Sequence, residues 1–298
     1  MNTIPRRQFL GALATAAVAA PFLRPAVASA ATGGLPASLK TGGFAIGAQA
    51  YTFNRFSVME AIEFNARAGG KVIEFFPGQK LSKEEPTKKW DHNATDEMFA
   101  QVKAQLDKWK VTAVNYGVVG IPKEEAKARP IFEFAKKLGL YGVTTESTDA
   151  IDTIEKLVKE FDIRCCYHNH PRQANNANYK VWDPNYILEL TGKRDERIGS
   201  CADIGHWVRT GLKPVECLKI LKGRVLSSHL KDRISVPGED VVYGDGISDI
   251  PGVLDELHAQ KFQGNISVEF EYNWDHSMPD VAQCIAFVRG YGRAKGWS

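Results

Sequence analysis

Residues 198–232 read IGSCADIGHWVRTGLKPVECLKILKGRVLSSHLKD. A short apolar run at 198–202 is followed by the polar Asp203-Ile204-Gly205-His206-Trp207, a helical pattern at 214–221, and a second apolar run at 225–228. That second run leads into His229-Leu230-Lys231-Asp232. Short runs without polar alternation suit strands buried on both faces, as in parallel sheets, and a helix between two of them is the crossover that parallel pairing requires. The stretch is therefore expected to be a strand-helix-strand unit with polar residues collected at the C-terminal end of each strand.

The same unit repeats along the chain. Strand signals fall at 44–52, 71–76, 111–118, 141–145, 163–167, 198–202, 225–228 and 266–270. Helical patterns lie between them at 58–68, 95–108, 123–138, 150–161, 184–190, 214–221 and 250–260, and another at 278–295 follows the last strand. Strictly alternating strands and helices close either a doubly wound sheet or a (β/α)8 barrel. No G-x-G-x-x-G follows the first strand, as a dinucleotide-binding sheet would want, and the 298 − 30 = 268 residues after a leader match one barrel. The expected fold is thus a single-domain α/β (β/α)8 TIM barrel over 31–298. Its polar segments 79–94, 172–183 and 234–246 each follow a strand and read as loops on the face where barrel enzymes do their chemistry.

Residues 1–30 hold Arg6, Arg7 and Arg24 and no acid, then an Ala-rich apolar stretch ending Ala28-Ser29-Ala30. This is the layout of an export signal, and Arg6-Arg7-Gln8-Phe9-Leu10 resembles the twin-arginine type, read by a receptor rather than used as an anchor. The exported chain is expected to begin near Ala31, to use the twin-arginine machinery as a partner, and to act in the periplasm or outside the cell, without a stable membrane anchor. The net charge of +3 lies wholly in that leader, so the remainder balances at 3 − 3 = 0. A neutral body argues against nucleic acid as a partner. Five cysteines, 165, 166, 201, 217 and 284, are an odd number and do not suggest a disulfide framework.

Four of seven histidines sit at or just past strand ends: His168, His170, His206 and His229. Glu146, Asp203, Glu269 and Glu271 occupy similar places. Closure of the strands in order would bring these groups to one mouth as a mixed nitrogen and oxygen set, suited to Mn2+, Zn2+, Fe2+ or Co2+ better than to Ca2+. Glu269 and Glu271 alternate with Val268 and Phe270 and so point the same way. Lys231, two residues past His229, shares its side, whereas Asp232 and Arg233 fit either a site or a solvated loop pair. Trp90, Trp182, Trp207, Tyr272 and Trp274 fall in the same loops, as anchors or as flat surfaces for sugar rings.

The ordered set Asp203-x-x-His206, His-Leu-Lys-Asp at 229–232 and Val-Glu-Phe-Glu at 268–271 resembles the xylose isomerase-like barrels, and within them the exported sugar phosphate isomerase/epimerase proteins. The resemblance implies one divalent metal, Mn2+ before Zn2+, Co2+ or Fe2+, with Asp203, His229 and Glu269 as three ligands. The family's remaining ligand, a Glu, is replaced here by His168, with His170 and Pro171 keeping the rest of that motif. Either His168 ligates through a ring nitrogen or Glu146 completes the set, and imidazole's affinity for the same metals favours His168. Epimerases of the family exchange protons through two glutamates, so here proton abstraction falls to Glu269, His170 or Lys231, with His206 orienting and Glu146, Trp207 and Glu271 contacting substrate. The implied activity is isomerisation or epimerisation of a free sugar or keto-sugar through a metal-stabilised enediolate. Elimination from a 3-keto-glycoside and non-catalytic sugar binding are the alternatives, and phosphodiester cleavage fits the neutral charge poorly. Assembly into a homo-oligomer is compatible with all of them.

Overall fold

The computed structural model describes residues 33–297. The expected export signal at 1–30 lies outside them. Eight parallel strands form a closed ring: β1 Phe44–Gln49, β2 Val72–Phe75, β3 Thr112–Tyr116, β4 Gly142–Thr145, β5 Arg164–His168, β6 Ile198–Asp203, β7 Val225–Leu230 and β8 Asn265–Val268. Each pairs with its neighbours in chain order, and β8 returns to β1 in register, Ile266 beside Ile46 and Val268 beside Ala48. The helices are α1 Val58–Arg67, α2 Asp96–Trp109, α3 Glu125–Leu138, α4 Ile151–Phe161, α5 Pro184–Thr191, α6 Ile204–Arg209, α7 Pro214–Ile220, α8 Ile250–Ala259 and α9 Met278–Ala294. All eight expected strands form, and so does every expected helix. The fold is a (β/α)8 TIM barrel.

Local chemistry explains the boundaries. Ser57 and Glu60 form a reciprocal capping box that starts α1, and Thr95 accepts from the Met98 N–H to start α2. Gly139, at φ 74°, closes α3 in the left-handed region that a side chain disfavours. In β1, Phe44, Ile46 and Ala48 join the large apolar core shared with the helices, while Ala45 packs with Leu35, Val72, Val114 and Tyr141 inside the lower end of the ring. Alternation along a strand produces both layers at once. All five cysteines are free and buried, as small apolar residues would be. Among the described residues no helix is long and apolar enough to cross a membrane.

Two departures bear on the mouth. The last strand ends at Val268 rather than Phe270, because the Phe270 N–H turns to Thr52 Oγ1 at 2.9 Å. Glu269 and Glu271 therefore stand on the rim beyond the strand. The polar stretch after β6 is itself a short helix, α6, which its six residues and Gly205 hide from periodicity. Gly205 is required there: a Cβ at that position would lie 2.6 Å from Lys231 Cβ.

Candidate active site at the mouth of the ring

Asp203 ends β6 and caps α6, and these two duties divide its carboxylate. Oδ1 accepts the His206 N–H at 2.7 Å, which leaves Oδ2 facing the ring axis. There it meets His168 Nε2 at 3.4 Å, Lys231 Nζ at 2.9 Å and His229 Nδ1 at 3.9 Å. Glu269 Oε2 lies 3.0 Å from His229 Nδ1. The result is a buried four-donor cluster of His168, Asp203, His229 and Glu269, whose ligand atoms all fall within 4.8 Å of one another.

Each imidazole in this cluster is oriented from behind. His168 Nδ1 is bonded to Glu146 Oε1 at 3.1 Å, and His229 Nε2 to Glu74 Oε2 at 3.0 Å. A carboxylate on one ring nitrogen fixes which lone pair faces inward, the arrangement that metal-binding histidines favour. His168 belongs at the same time to a second three-donor group with Glu146 and His170, whose ligand atoms also fall within 4.8 Å of one another. The geometry also makes a test of metal fit possible. Five carboxylates, from Glu74, Glu146, Asp203, Glu269 and Glu271, converge with one buried ammonium, that of Lys231. Two imidazoles with two carboxylates suit a transition-metal dication, which would take the place of the protons that these carboxylates otherwise hold on His168 and His229. The residues fit such an ion.

Lys231 is fully buried and bonded to three carboxylates, Asp203 at 2.9 Å and Glu269 and Glu271 at 2.7 Å each. Burial opposes its charge, but these carboxylates push its pKa well above the ordinary value. The ammonium is thereby held in its protonated form among these carboxylates. Burial likewise opposes charge on Asp203 and Glu269, yet Lys231 and His168 hold Asp203, and Lys231 and His229 hold Glu269, well below the usual carboxylate range. His206 is driven the other way. Burial, together with Lys231 and the other histidines, keeps it neutral against the pull of Asp203, and its Nε2 lies 3.3 Å from the ammonium as an acceptor.

His168 carries a pH consequence. Burial lowers its pKa, but Asp203 and Glu146 overcome this and raise it to about 9. A folded-state pKa above the unfolded value of 6.5 stabilises the metal-free fold fully below pH 6.5, and that stabilisation is lost as pH rises through 9. Its size is at most about 3 kcal/mol. The Tm of chelator-treated protein should accordingly fall between pH 6.5 and 9.5. Stabilisation by added Mn2+ should grow over the same interval, since cation and proton compete for one nitrogen. A metal-free profile that stays flat across that window would contradict the arrangement.

A cavity of about 280 Å3 opens above the cluster, lined by Gln49, Tyr51, Phe76, His168, Glu269 and Glu271 among others. His170 also lines it, 46% exposed, with Nδ1 hydrogen-bonded to Glu146 and its ring stacked on His206 at 4.8 Å. Tyr179 donates to Glu146 Oε2 at 3.1 Å and accepts the His170 N–H at 3.0 Å.

The aromatic candidates separate. Trp274 meets Tyr51 edge-on at 5.8 Å near the cavity rim, and Tyr272 is exposed beside it. Trp182 lies beneath the Arg172 guanidinium and lines a second cavity together with Tyr179. Trp90 and Trp207 are buried in the apolar core, so neither offers a face to a sugar and Trp207 does not contact substrate. Asp232 and Arg233 are not a solvated pair. Asp232 accepts backbone N–H groups from Arg233, Gly244, Gly246 and Ser248, and Arg233 bonds Asp240 at 2.6 Å, which pins the loop under Glu271.

Sequence reasoning missed Glu74, Gln49 and Tyr179. The signal for Glu74 was an acid inside the apolar run Val72-Ile73-Glu74-Phe75. Tyr179 lies in a long polar loop and carries no local signal.

A family model described as xylose isomerase-like TIM barrel matches residues 132–290, more than half of the chain. The chain belongs to the xylose isomerase-like TIM barrel family. No curated protein matches it in sequence. Among solved structures, this xylose isomerase-like barrel is similar to an uncharacterised protein from Parabacteroides distasonis, with 27% identity and a TM-score of 0.67, covering 83% of this chain and 99% of that one. It also shares its fold with a D-tagatose 3-epimerase-like protein (16% identity, TM-score 0.65, 84% and 98% covered). A D-allulose 3-epimerase from Methylomonas sp. is similar in the same way (14%, 0.64, 83% and 97%).

Proposed function

We propose that this barrel is a divalent-metal-dependent isomerase or epimerase of a free sugar or keto-sugar, acting by proton transfer at the carbon beside a carbonyl. The observation that carries this reading is the cavity, which has the four-donor cluster at its base and proton-transfer groups on walls three strands apart, His170 after β5 and Glu269 after β8. A divalent cation held by His168, Asp203, His229 and Glu269, with Mn2+ the best match, supplies Lewis acidity toward the substrate's carbonyl oxygen.

The side chains do the rest. His170, with Nδ1 on Glu146, presents Nε2 to the cavity as one proton acceptor, in the manner of a base oriented by a third group. Glu269 exchanges a proton from the other wall. Lys231 holds positive charge beside Glu269 and Glu271, and neutral His206 keeps the ammonium in place. Tyr51, Phe76 and Trp274 offer apolar faces to the C–H side of a sugar ring. The leader at 1–30 supports a periplasmic or exported location, reached through the twin-arginine machinery, where free sugars are the better substrates.

Incubation with candidate sugars and Mn2+ in D2O tests the reading. Incorporation of deuterium at one carbon without loss of mass is the expected result. Release of water or an aglycone would replace it with elimination chemistry, and no exchange with any bound sugar would make the barrel a binding protein.

A further inference from the structure

Glu74 is fully buried inside the ring on β2, and nothing about the reaction calls for it. Its Oε1 accepts from Thr144 Oγ1 at 2.9 Å, and its Oε2 from Ser267 Oγ at 2.7 Å and Asn265 Nδ2 at 3.5 Å. Those three donors are neutral, so none of them calls for a full negative charge in so buried a place. Among the described residues the one ionisable side chain bonded to it is His229, whose Nε2 lies 3.0 Å from Oε2. The other nitrogen of that ring faces Asp203 and Glu269. A buried carboxylate that meets one ionisable partner, and meets it on the side away from the cluster, is explained if its charge acts through that ring.

We propose that Glu74 is a positioning residue for the metal centre: it accepts the Nε2 proton of His229, so that the Nδ1 lone pair is presented to the cation and made more basic. This inference rests on the metal-centre reading above but not on the identity of the sugar. The carboxylate also bonds side chains from β4, β7 and β8, so the same residue ties the centre to the interior of the ring.

The test uses Mn2+ alone as the probe. Glu74→Gln, equal in size, should lower Mn2+ affinity about 10- to 100-fold. Thr144→Val and Ser267→Ala each remove a bond to Glu74 but leave its contact with His229, and should stay within about threefold of the parent. Equal losses in all three variants, or a Glu74→Gln protein that keeps its Mn2+ affinity, would overturn the proposal. Should Glu74→Gln fail to fold, the unaltered protein still decides the matter. Loaded with diamagnetic Zn2+ and labelled with 15N-histidine, it should show His229 protonated at Nε2, and protonation at Nδ1 would sink the idea. If no divalent ion binds the unaltered protein, the metal-centre reading fails, and this outcome is separate from a Glu74 failure.

Discussion

Asp203→Ala protein incubated with Mn2+ should emerge from gel filtration without a bound cation, and His229→Ala should behave the same way. Asp203 is wholly buried, and its Oδ2 is the atom around which His168, His229 and Lys231 gather. Deleting it removes one of four donors and leaves the Lys231 ammonium with one buried counter-charge fewer. The alanine variant also loses the cap on α6, worth about 1 kcal/mol. Asp203→Asn separates the two effects, since its side-chain oxygen still accepts the His206 N–H while the anionic donor is gone. Both variants should be metal-depleted by elemental analysis, and the asparagine variant should keep more of its thermal stability. Near-normal metal content in either would refute the cluster.

His170→Ala should give the opposite pattern, with metal content unchanged and turnover reduced by about 10^2- to 10^4-fold, the range expected when a general acid-base group is lost. Four donors complete the cluster without His170, which stands over the cavity with Nδ1 held by Glu146. Glu146 bonds both histidines, so Glu146→Gln should impair turnover and weaken metal binding together. The measurement is deuterium exchange on a processed sugar beside metal analysis of the same samples. Loss of metal from His170→Ala with turnover per bound ion preserved would move His170 into the ligand set.

Much of the site was legible because barrel strands end at one rim. His168, Asp203, His229 and Glu269 could be placed there from strand ends alone, and the structure brings them within reach of a single ion. What the sequence left open or misplaced has a common cause, contacts made only in the folded ring. Trp207 lies in a polar stretch that reads as loop, but α6 turns its ring into the core. Asp232 and Arg233 fit a site or a solvated pair equally well in sequence, and only the folded-back loop gives Asp232 its four N–H donors. Lys231 has the residue type of a base, and only the folded ring shows that it meets three carboxylates, one ending β6 and two on the rim beyond β8.

By itself the sequence determined the ring of strands and the rim residues, because apolar runs, helical periodicity and strand ends are patterns written within a few consecutive positions. Which carboxylate meets which imidazole nitrogen was decided by the tertiary structure. Glu74 and His229 stand 155 positions apart, and Glu146 follows β4 while His168 ends β5. Closure of the ring sets these pairings, and with them the side of each imidazole that is open to a cation.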